Sequence, residues 1–340
     1  MTQTNMESYP PIFRPKETQN EVNDDMDEAD QGAADLDMLP VIDFQKINYE
    51  KLNEACKDWG MFRLINHGIP PTLLEKLDDH AKKLFSFSFE LKQASFSNPI
   101  SYFWGTPGLT PSGAAIPRET GSKGSHQSFS WLEGFHVLLY PLSKCKYEDP
   151  MHESFRGLLE EYGSHQTRLA SRIFETLTLN IPLDLSQSKS YMSPKTGQLR
   201  VHRYPCCFEA EQAWGIDVHT DSSLLSIVHQ DQVGGLQVLY KDDRWVDVKP
   251  VAQSLIVNLG DMMQAISDDT FVAAKHRVKV HKRKERISIG YFVFPDEEAV
   301  IKSSKYKTFT YADFRTEVQR DLKTIGCKIG LPKFKIDKTF

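Results

Sequence analysis

The region from residue 196 to residue 294 places the strongest constraint on the fold of this chain. It is a succession of short apolar runs rich in β-branched residues, separated by turn signals such as Val233-Gly234-Gly235 and Gly260-Asp261. Short strands at regular spacing are typical of a sandwich or a barrel. We predict six strands in this region: 199–204, 224–229, 236–240, 245–248, 254–259 and 287–294.

Helical patterns dominate the rest of the chain. Apolar residues recur at helical spacing in four stretches, 52–59, 73–85, 155–177 and 311–322. Gly60 and Pro182 end the first and the third of these helices. Two short strands are predicted at 39–44 and 62–68. The fold class is therefore mixed α/β (α+β), with a β-rich core, flanking helices and an N-terminal region of helices and strands.

Shifts in composition divide the chain into regions. Residues 16–37 contain nine acidic residues, one Lys and no aromatic residue, so they cannot bury enough apolar area to offset their ordering entropy. Residues 101–130 are rich in Gly, Ser, Thr and Pro, which predicts a long loop. We predict four regions: a disordered acidic tail (1–38), an N-terminal region that contains the loop (39–195), a β-rich domain (196–300) and a C-terminal helical extension (301–340).

Charge and cysteine content exclude several classes of protein. The net charge of -5 gives no reason to expect nucleic acid or an anionic membrane as a partner. No apolar run approaches the roughly 20 residues of a membrane-spanning helix, and residues 1–6 lack the plan of a secretory signal. The five cysteines include no C-x-x-C pair, which is typical of free thiols in a reducing compartment. We expect a cytoplasmic protein, or a nuclear one, with no protein partner.

A metal site is predicted in the β-rich domain. His219 and Asp221 lie two positions apart, so on extended backbone both side chains point to the same side. His276 precedes the last strand and is the candidate for a third ligand. Two His and one carboxylate describe the facial triad of non-haem Fe(II) oxygenases, and the same three residues could hold a catalytic zinc ion.

A second group of residues favours the oxygenase. Arg286 and Ser288 share one face of the last strand, ten residues after His276, and an Arg in an apolar strand is costly unless it meets an anion. A guanidinium beside a hydroxyl suits a carboxylate, and Tyr204 could add a phenol donor. A diacid that binds the metal at one end and Arg at the other fits both groups, and 2-oxoglutarate is such a diacid.

The residues from 199 to about 295 resemble the Fe(II)/2-oxoglutarate dioxygenase domain of plant specialised and hormone metabolism. The resemblance rests on H-x-D, a distal His, R-x-S ten residues later, and Tyr204-Pro205-Cys206-Cys207. Residues 39 to about 91 resemble the N-terminal domain of the same family, with Pro40-Val41-Ile42-Asp43 and Trp59-Gly60-Met61-Phe62. The resemblance implies a double-stranded β-helix, or jelly roll, wrapped by helices.

The resemblance also implies the roles of the site residues. His219, Asp221 and His276 would bind Fe(II), while Arg286 and Ser288, assisted by Tyr204, would hold the distal carboxylate of 2-oxoglutarate. The reaction implied is decarboxylation of 2-oxoglutarate by O2 to succinate and CO2, giving an iron-oxo species that abstracts hydrogen from the substrate. Ascorbate is the expected reductant. The protein's part is to orient the reactants and exclude water.

Local phrases resemble the gibberellin oxidases within this family, in particular gibberellin 2-oxidases that act on C20 precursors. These phrases are residues 219–227, 230–237 and 285–292. The family often has Asn where this chain has His202, which could donate a hydrogen bond to the cosubstrate or simply pack in the core. The expected partner is a small gibberellin-like acid.

The sequence leaves other interpretations of the function open. The substrate could be another terpenoid or phenolic acid, and the domain could be a jelly roll that binds a small acid without turnover. A zinc hydrolase would leave Arg286 and Ser288 without a role. An acidic substrate would need a cation in the pocket, for which Arg118, Lys123 and Arg200 are candidates, although single charges of this kind more often lie on a solvated surface.

Overall fold

The structure is a computed structural model that describes residues 6–14, 38–105, 130–207, 214–241 and 243–336. Fourteen strands are present in these ranges: β1 Val41–Asp43, β2 Met61–Ile65, β3 Ile100–Trp104, β4 Glu133–Leu138, β5 Gln198–Tyr204, β6 Trp214–His219, β7 Leu225–Gln230, β8 Leu236–Tyr240, β9 Arg244–Asp247, β10 Leu255–Leu259, β11 His276–Lys279, β12 Arg286–Val293, β13 Val300–Ile301 and β14 Phe309–Thr310. The α-helices of the same ranges are α1 Tyr49–Asp58, α2 Pro71–Phe85, α3 Phe89–Ser95, α4 Leu139–Leu142, α5 Pro150–Leu177, α6 Leu185–Tyr191, α7 Asp261–Ile266 and α8 Tyr311–Thr324.

Two sheets form the core of the fold. The larger has the order β1-β2-β10-β7-β12-β5-β4-β3, and the smaller has the order β6-β11-β8-β9. Strands of both sheets contribute to one apolar cluster, which includes Met61 and Ile256 from the larger sheet and Leu236 and Val278 from the smaller one. Apart from the parallel pair β1–β2, the paired strands are antiparallel. This sandwich is the predicted jelly roll.

The helices cover the outer face of the larger sheet. The two faces of β12 differ, as the sequence predicts: Ile287 and Ile289 pack in the cluster that contains the buried residues of α2 and α5, while Arg286 and Ser288 face the space between the sheets. Tyr162 of α5 donates a hydrogen bond to the carbonyl oxygen of Ile289 at 3.4 Å. Because α5 supports the outer face of β12, the inner face is held in a fixed position.

Gly60 joins α1 to β2 in a conformation that requires glycine. Its φ is +62°, and a Cβ at this position would lie 2.2 Å from the carbonyl oxygen of Val272. Its own carbonyl oxygen accepts a hydrogen bond from Leu259 at 2.8 Å. The glycine that ends the helix in the sequence thus also lets the start of β2 approach the core.

The N-terminal residues differ from the prediction. Met6–Ser8 and Pro11–Phe13 form two 3-10 turns, and Tyr9 is buried with its ring 5.5 Å from that of Trp104. A disordered tail over 1–38 is therefore wrong for residues 6–14, because the aromatic residues there supply the apolar area that residues 16–37 lack. Residues 15–37, which carry the acidic stretch, lie outside the described ranges.

The predicted loop 101–130 also needs correction. Residues 100–104 form β3, which pairs with β4 at the edge of the larger sheet, because Tyr102, Phe103 and Trp104 are aromatic residues that favour a strand. Residues 106–129 lie outside the described ranges. The sequence pattern also missed β4, β6 and β11, in which Gly, His or charged residues interrupt the apolar positions.

No helix within the described ranges is both long and apolar enough to cross a membrane.

A buried ion network connects the N-terminal segment to the larger sheet. Glu133 of β4 accepts hydrogen bonds from Lys92 at 2.5 Å, from Tyr102 at 2.6 Å and from Arg203 at 2.7 Å. Lys92 also donates to the carbonyl oxygen of Ser8 at 2.9 Å. Glu133 is thus the shared acceptor of two buried cations.

We predict that Glu133→Gln lowers the free energy of unfolding by about 3–5 kcal/mol, because it leaves the buried Lys92 ammonium without its counter-charge and removes one of the two carboxylates that pair with Arg203. Glu160→Gln is the matched control, since it removes an exposed partner of Arg156 on α5 and is expected to cost less than about 1 kcal/mol. Urea denaturation of both variants measures the difference. Equal losses of stability would show that the network contributes no more than a surface pair.

Candidate metal centre and adjoining anion pocket

Three possible metal ligands meet where strands of the smaller sheet end. β6 ends at His219, Asp221 follows two residues later, and His276 begins β11 directly opposite His219. One ligand atom from each side chain lies within 4.8 Å of the others, and the two imidazole rings are 4.3 Å apart. The structure thus brings together the three residues that the sequence predicts as metal ligands, in the donor set of a facial triad.

Backbone carbonyl groups determine which nitrogen of each imidazole faces this centre. Nδ1 of His219 lies 2.8 Å from the carbonyl oxygen of Asp217, and Nδ1 of His276 lies 2.9 Å from that of Ala274. A carbonyl oxygen can only accept, so Nδ1 carries the proton in both rings and Nε2 keeps its lone pair. This is the arrangement in which histidines ligate metals in proteins.

The carboxylate of Asp221 is held in the same way by its neighbours. Its Oδ2 accepts hydrogen bonds from Ser226 and from Asn258, each at 2.6 Å. Burial alone would raise the pKa of Asp221, but His276, His219 and these two hydrogen bonds outweigh it and hold that pKa below its usual range. Burial, followed by the charge of His276, lowers the pKa of His219 to about 4. Deprotonated ligands of this kind are the forms that bind a divalent metal.

An anion pocket lies on the inner face of the larger sheet. Arg286 is 3% exposed and donates to Ser288 at 3.1 Å and to Gln230 at 2.9 Å, both of which are neutral. Among the residues that the structure describes, Nε of Arg286 and Nε2 of Gln230 are buried without a hydrogen-bond partner. A buried guanidinium with neutral partners and donors to spare fits a carboxylate, such as one end of 2-oxoglutarate.

Tyr204 and His202 extend this pocket on β5. The cross-strand register places Tyr204 opposite Arg286 and His202 opposite Ser288, and the Arg286 guanidinium lies 4.8 Å from the centre of the Tyr204 ring. The Tyr204 hydroxyl is 3.3 Å from Nδ1 of His202. Burial, followed by the charges of Arg200 and Arg286, lowers the pKa of His202 to about 3, so its ring is neutral. His202 therefore faces the pocket as a neutral hydrogen-bonding group.

The metal centre and the anion pocket open into one cavity of about 580 Å³, a volume that includes its mouth. Its apolar lining comes from both sheets and consists of Met61, Ile216, Val228, Leu236, Val278 and Phe292. The cavity therefore presents a largely apolar wall beside the metal centre and the anion pocket.

Arg200 also lines this cavity. It lies opposite Gly290 in the register of β5 and β12, and its guanidinium is 4.7 Å from the centre of the Phe292 ring. Within the described ranges it forms no ion pair with a carboxylate. Arg200 is thus the one of the three predicted substrate cations that the structure places at the site, since Arg118 and Lys123 lie outside the described ranges.

Known proteins match this chain along most of its length. Residues 195–295 match the 2OG-Fe(II) oxygenase superfamily, and residues 39–156 match the family described as non-haem dioxygenase in morphine synthesis N-terminal. Gibberellin 2-beta-dioxygenase 8 of Arabidopsis thaliana is 36% identical over 311 residues, which span 87% of this chain and 86% of the relative. The chain belongs to the 2OG-Fe(II) oxygenase superfamily. This oxygenase is also 34% identical to Gibberellin 2-beta-dioxygenase 5 of Oryza sativa subsp. japonica, over 90% of the chain and 91% of the relative.

Solved structures place the oxygenase in the same fold. The crystal structure of JOX2 in complex with 2OG, Fe and JA has a TM-score of 0.71 and 26% identity, and the match covers 88% of this chain and 89% of JOX2. The dioxygenase for auxin oxidation from rice has a TM-score of 0.67 at 22% identity, covering 88% of this chain and all of that protein. The jelly roll is thus the shared architecture, and the His-Asp-His group and the anion pocket fit the iron and 2-oxoglutarate of the family.

Sequence reasoning missed the polar residues that support the site of this oxygenase. Ser226 and Gln230 lie on β7 and Asn258 lies on β10, outside the H-x-D and R-x-S motifs. One signal was available for Asn258, because it is a lone amide within the apolar run Leu255–Leu259 and has to find a partner when buried. Ser226 and Gln230 gave no such signal, because each could equally face solvent in an alternating strand.

We predict that Arg286→Gln weakens 2-oxoglutarate binding roughly 10- to 100-fold, because it removes charged hydrogen bonds worth about 1.5–3 kcal/mol. Its effect on Mn(II) affinity is expected to be small, because Arg286 does not contact the three metal ligands. Arg277→Gln is the control, since Arg277 stacks between Trp214 and Trp245 on the other side of the smaller sheet. Calorimetric titration measures both affinities, and a similar loss in both variants would contradict the assignment of the pocket.

Proposed function

We propose that this oxygenase hydroxylates a gibberellin or a gibberellin-like diterpenoid acid, with 2-oxoglutarate and O2 as cosubstrates and succinate and CO2 as co-products. The observation that carries the proposal is the set of residues that line one cavity. It combines three metal ligands, a buried cation with neutral partners, and a further cation, Arg200, that has no acid partner among the described residues. The gibberellin 2-beta-dioxygenases at 31–36% identity support the substrate class.

Each residue of the site has one task in this proposal. His219, Asp221 and His276 would hold Fe(II), and Arg286 and Ser288 would hold the distal carboxylate of 2-oxoglutarate, with Tyr204 donating a further hydrogen bond. Iron, when bound with O2, supplies the oxidation of a C–H bond coupled to decarboxylation of 2-oxoglutarate, with one oxygen atom passing to the substrate and the other to succinate. The chain orients both organic acids and keeps water away through the apolar lining.

Arg200 supports an acidic substrate. A guanidinium that lines an apolar cavity without an ion-pair partner is costly, and the cost is offset when a carboxylate binds. Gly290, which lies opposite Arg200, has no side chain, and the Phe292 ring packs directly over its Cα. A Cβ on Gly290 would lie 2.9 Å from that ring. The guanidinium lies over this ring at 4.7 Å, a cation–π contact that satisfies no N–H donor, so these donors can bind a ligand.

The apolar lining of the cavity supports a hydrocarbon skeleton on that acid. Aliphatic residues of the two sheets, such as Met61, Leu236 and Val278, face the same space as the two arginines. A substrate that is mostly hydrocarbon and carries a carboxylate would bury both kinds of surface. The second candidate is the same chemistry on another terpenoid or phenolic acid, because JOX2, which has this fold, is solved with JA.

Two further predictions rest on the sequence alone: ascorbate as the reductant and a cytoplasmic location.

An aerobic incubation with Fe(II), ascorbate and 2-oxoglutarate tests the proposed function. A mixed panel of C19 and C20 gibberellins is included, and the products are read by mass spectrometry. A product heavier by one oxygen atom that is lost when 2-oxoglutarate is omitted is the expected result. Succinate formed without any altered gibberellin would direct the search to other acids. Iron-loaded, folded protein that forms neither succinate nor product would overturn the proposal.

We predict that Arg200→Gln raises the KM for the acid substrate about tenfold or more, because it removes a charged hydrogen bond. The wild-type enzyme is expected to prefer the acid over its methyl ester, and the variant is expected to lose this preference. The KM for 2-oxoglutarate stays the same, which serves as the internal control. Equal losses of activity on acid and ester would show that Arg200 supports the fold of the cavity without contacting the carboxylate.

A further inference from the structure

The turn that carries two of the metal ligands is held from outside the jelly roll by the C-terminal segment. Lys328, four residues after the end of α8, reaches this turn with its ammonium group. Nζ donates to the carbonyl oxygen of Thr220 at 2.5 Å, to Asp261 at 2.7 Å and to the hydroxyl of Ser222 at 3.3 Å. Thr220 lies between the ligands His219 and Asp221 in the sequence, so Lys328 contacts the backbone that joins them.

Asp261 completes this connection from the start of α7. Its carboxylate is the counter-charge of Lys328, and its backbone N–H donates to the carbonyl oxygen of Asp221 at 2.8 Å. Two successive carbonyl groups are therefore held, that of Thr220 by the Lys328 ammonium and that of Asp221 by the backbone N–H of Asp261. The carboxylate of Asp221 is fixed separately by Ser226 and Asn258. Backbone and side chain of this ligand thus have independent supports.

The turn depends on these contacts because it lies between two strands. β6 ends at His219 and β7 begins at Leu225, so residues 220–224 have no place in the ladder of either sheet. Further backbone contacts come from the start of α7, where Met262 donates to Ser223 at 3.2 Å and Gly260 donates to Leu224 at 2.9 Å. Lys328 is the side chain that joins this arrangement to the C-terminal segment.

Stability alone is a poor reason for such a pair. The side chains of Lys328 and Asp261 are 12% and 5% exposed, and a buried ion pair gains little net free energy because both ions lose their hydration. What a buried pair does provide is a defined geometry for the groups around it. The groups around this pair are the backbone atoms that set the separation of two metal ligands.

We infer that Lys328, paired with Asp261, is a positioning residue of the metal centre, and that the C-terminal segment is part of the scaffold of the site. The inference rests on the proposed metal site and adds a residue that lies 107 positions after Asp221 in the sequence. It predicts that the loss of Lys328 widens the distribution of ligand positions and weakens metal binding, while the anion pocket around Arg286 is unaffected.

Lys333 provides a matched control in the same segment. It pairs with Glu317 and with the buried Asp321, and Asp321 also accepts from the backbone of Ile329 at 3.1 Å. Lys333→Met therefore removes a lysine–carboxylate interaction that anchors the C-terminal segment, without removing any contact to residues 219–222. A general loosening of the segment would affect both lysine variants in the same direction.

The test compares full-length wild type, Lys328→Met and Lys333→Met as metal-free proteins titrated with Mn(II). Loss of an outer partner of a metal site typically weakens affinity about 10- to 100-fold, and we expect this for Lys328→Met. We expect the Mn(II) affinity of Lys333→Met to remain at the wild-type value. At saturating Mn(II), 2-oxoglutarate affinity should be the same in all three. Lys328→Arg keeps the charge and should recover part of the Mn(II) affinity.

The outcomes separate the inference from the proposed function. Mn(II) affinity that is unchanged in Lys328→Met, with only a loss of stability like that of Lys333→Met, would overturn the positioning role and leave the metal site intact. Wild-type protein that binds no Mn(II) would overturn the metal assignment and the role of Lys328 together. If Lys328→Met does not fold, Asp261→Asn removes the counter-charge that holds Lys328 and keeps the backbone N–H to Asp221. Wild-type Mn(II) affinity in that variant would contradict the inference.

Discussion

Two guanidinium groups lie in the space between the sheets, and neither pairs with a carboxylate among the residues that the structure describes. Arg286 has neutral partners, Ser288 and Gln230, and spare donors, while Arg200 lies over the Phe292 ring and lines the cavity. Guanidinium groups that lack a carboxylate partner in an apolar cavity favour the binding of anions from outside the chain. The proposed diacid and the proposed acid substrate both rest on that preference.

The metal centre shows a complementary arrangement, in which every ligand is held before a metal binds. The cross-strand pair His219–His276 sets the separation of the two imidazoles, and backbone carbonyls fix their tautomers. Asp221 lies outside the ladder and so needs more support, from Ser226 and Asn258 on its carboxylate and from Asp261 on its backbone. Ligands held in this way lose little freedom when a metal binds, which favours affinity and a defined set of open positions.

Much of the fold could be predicted from the sequence because its elements carry strong local patterns. The six strands predicted between 196 and 294 match the observed ones to within one residue at every end, and the long helix Pro150–Leu177 has its apolar residues at helical spacing. The missed strands β4, β6 and β11 carry Gly, His or charged residues among their apolar ones. Their pairings, β4 with β5 and β6 with β11, join residues far apart in the chain, which no local pattern encodes. The packed turns of residues 6–14 were missed because their partners Trp104 and Trp131 lie far along the chain.

The sequence by itself determined the types and spacing of the chemical groups: H-x-D, a distal His and R-x-S specify a facial triad and a carboxylate pocket because short spacings on strands fix which side chains share a face. Tertiary structure decided the rest, because the supporting contacts join residues far apart in the chain. Asn258 meets Asp221 across 37 positions, Gln230 meets Arg286 across 56, and Lys328 meets Thr220 across 108. Arg200 likewise became a cavity residue only when β5 paired with β12, since side-chain burial depends on what the fold places opposite a residue and not on its neighbours in sequence.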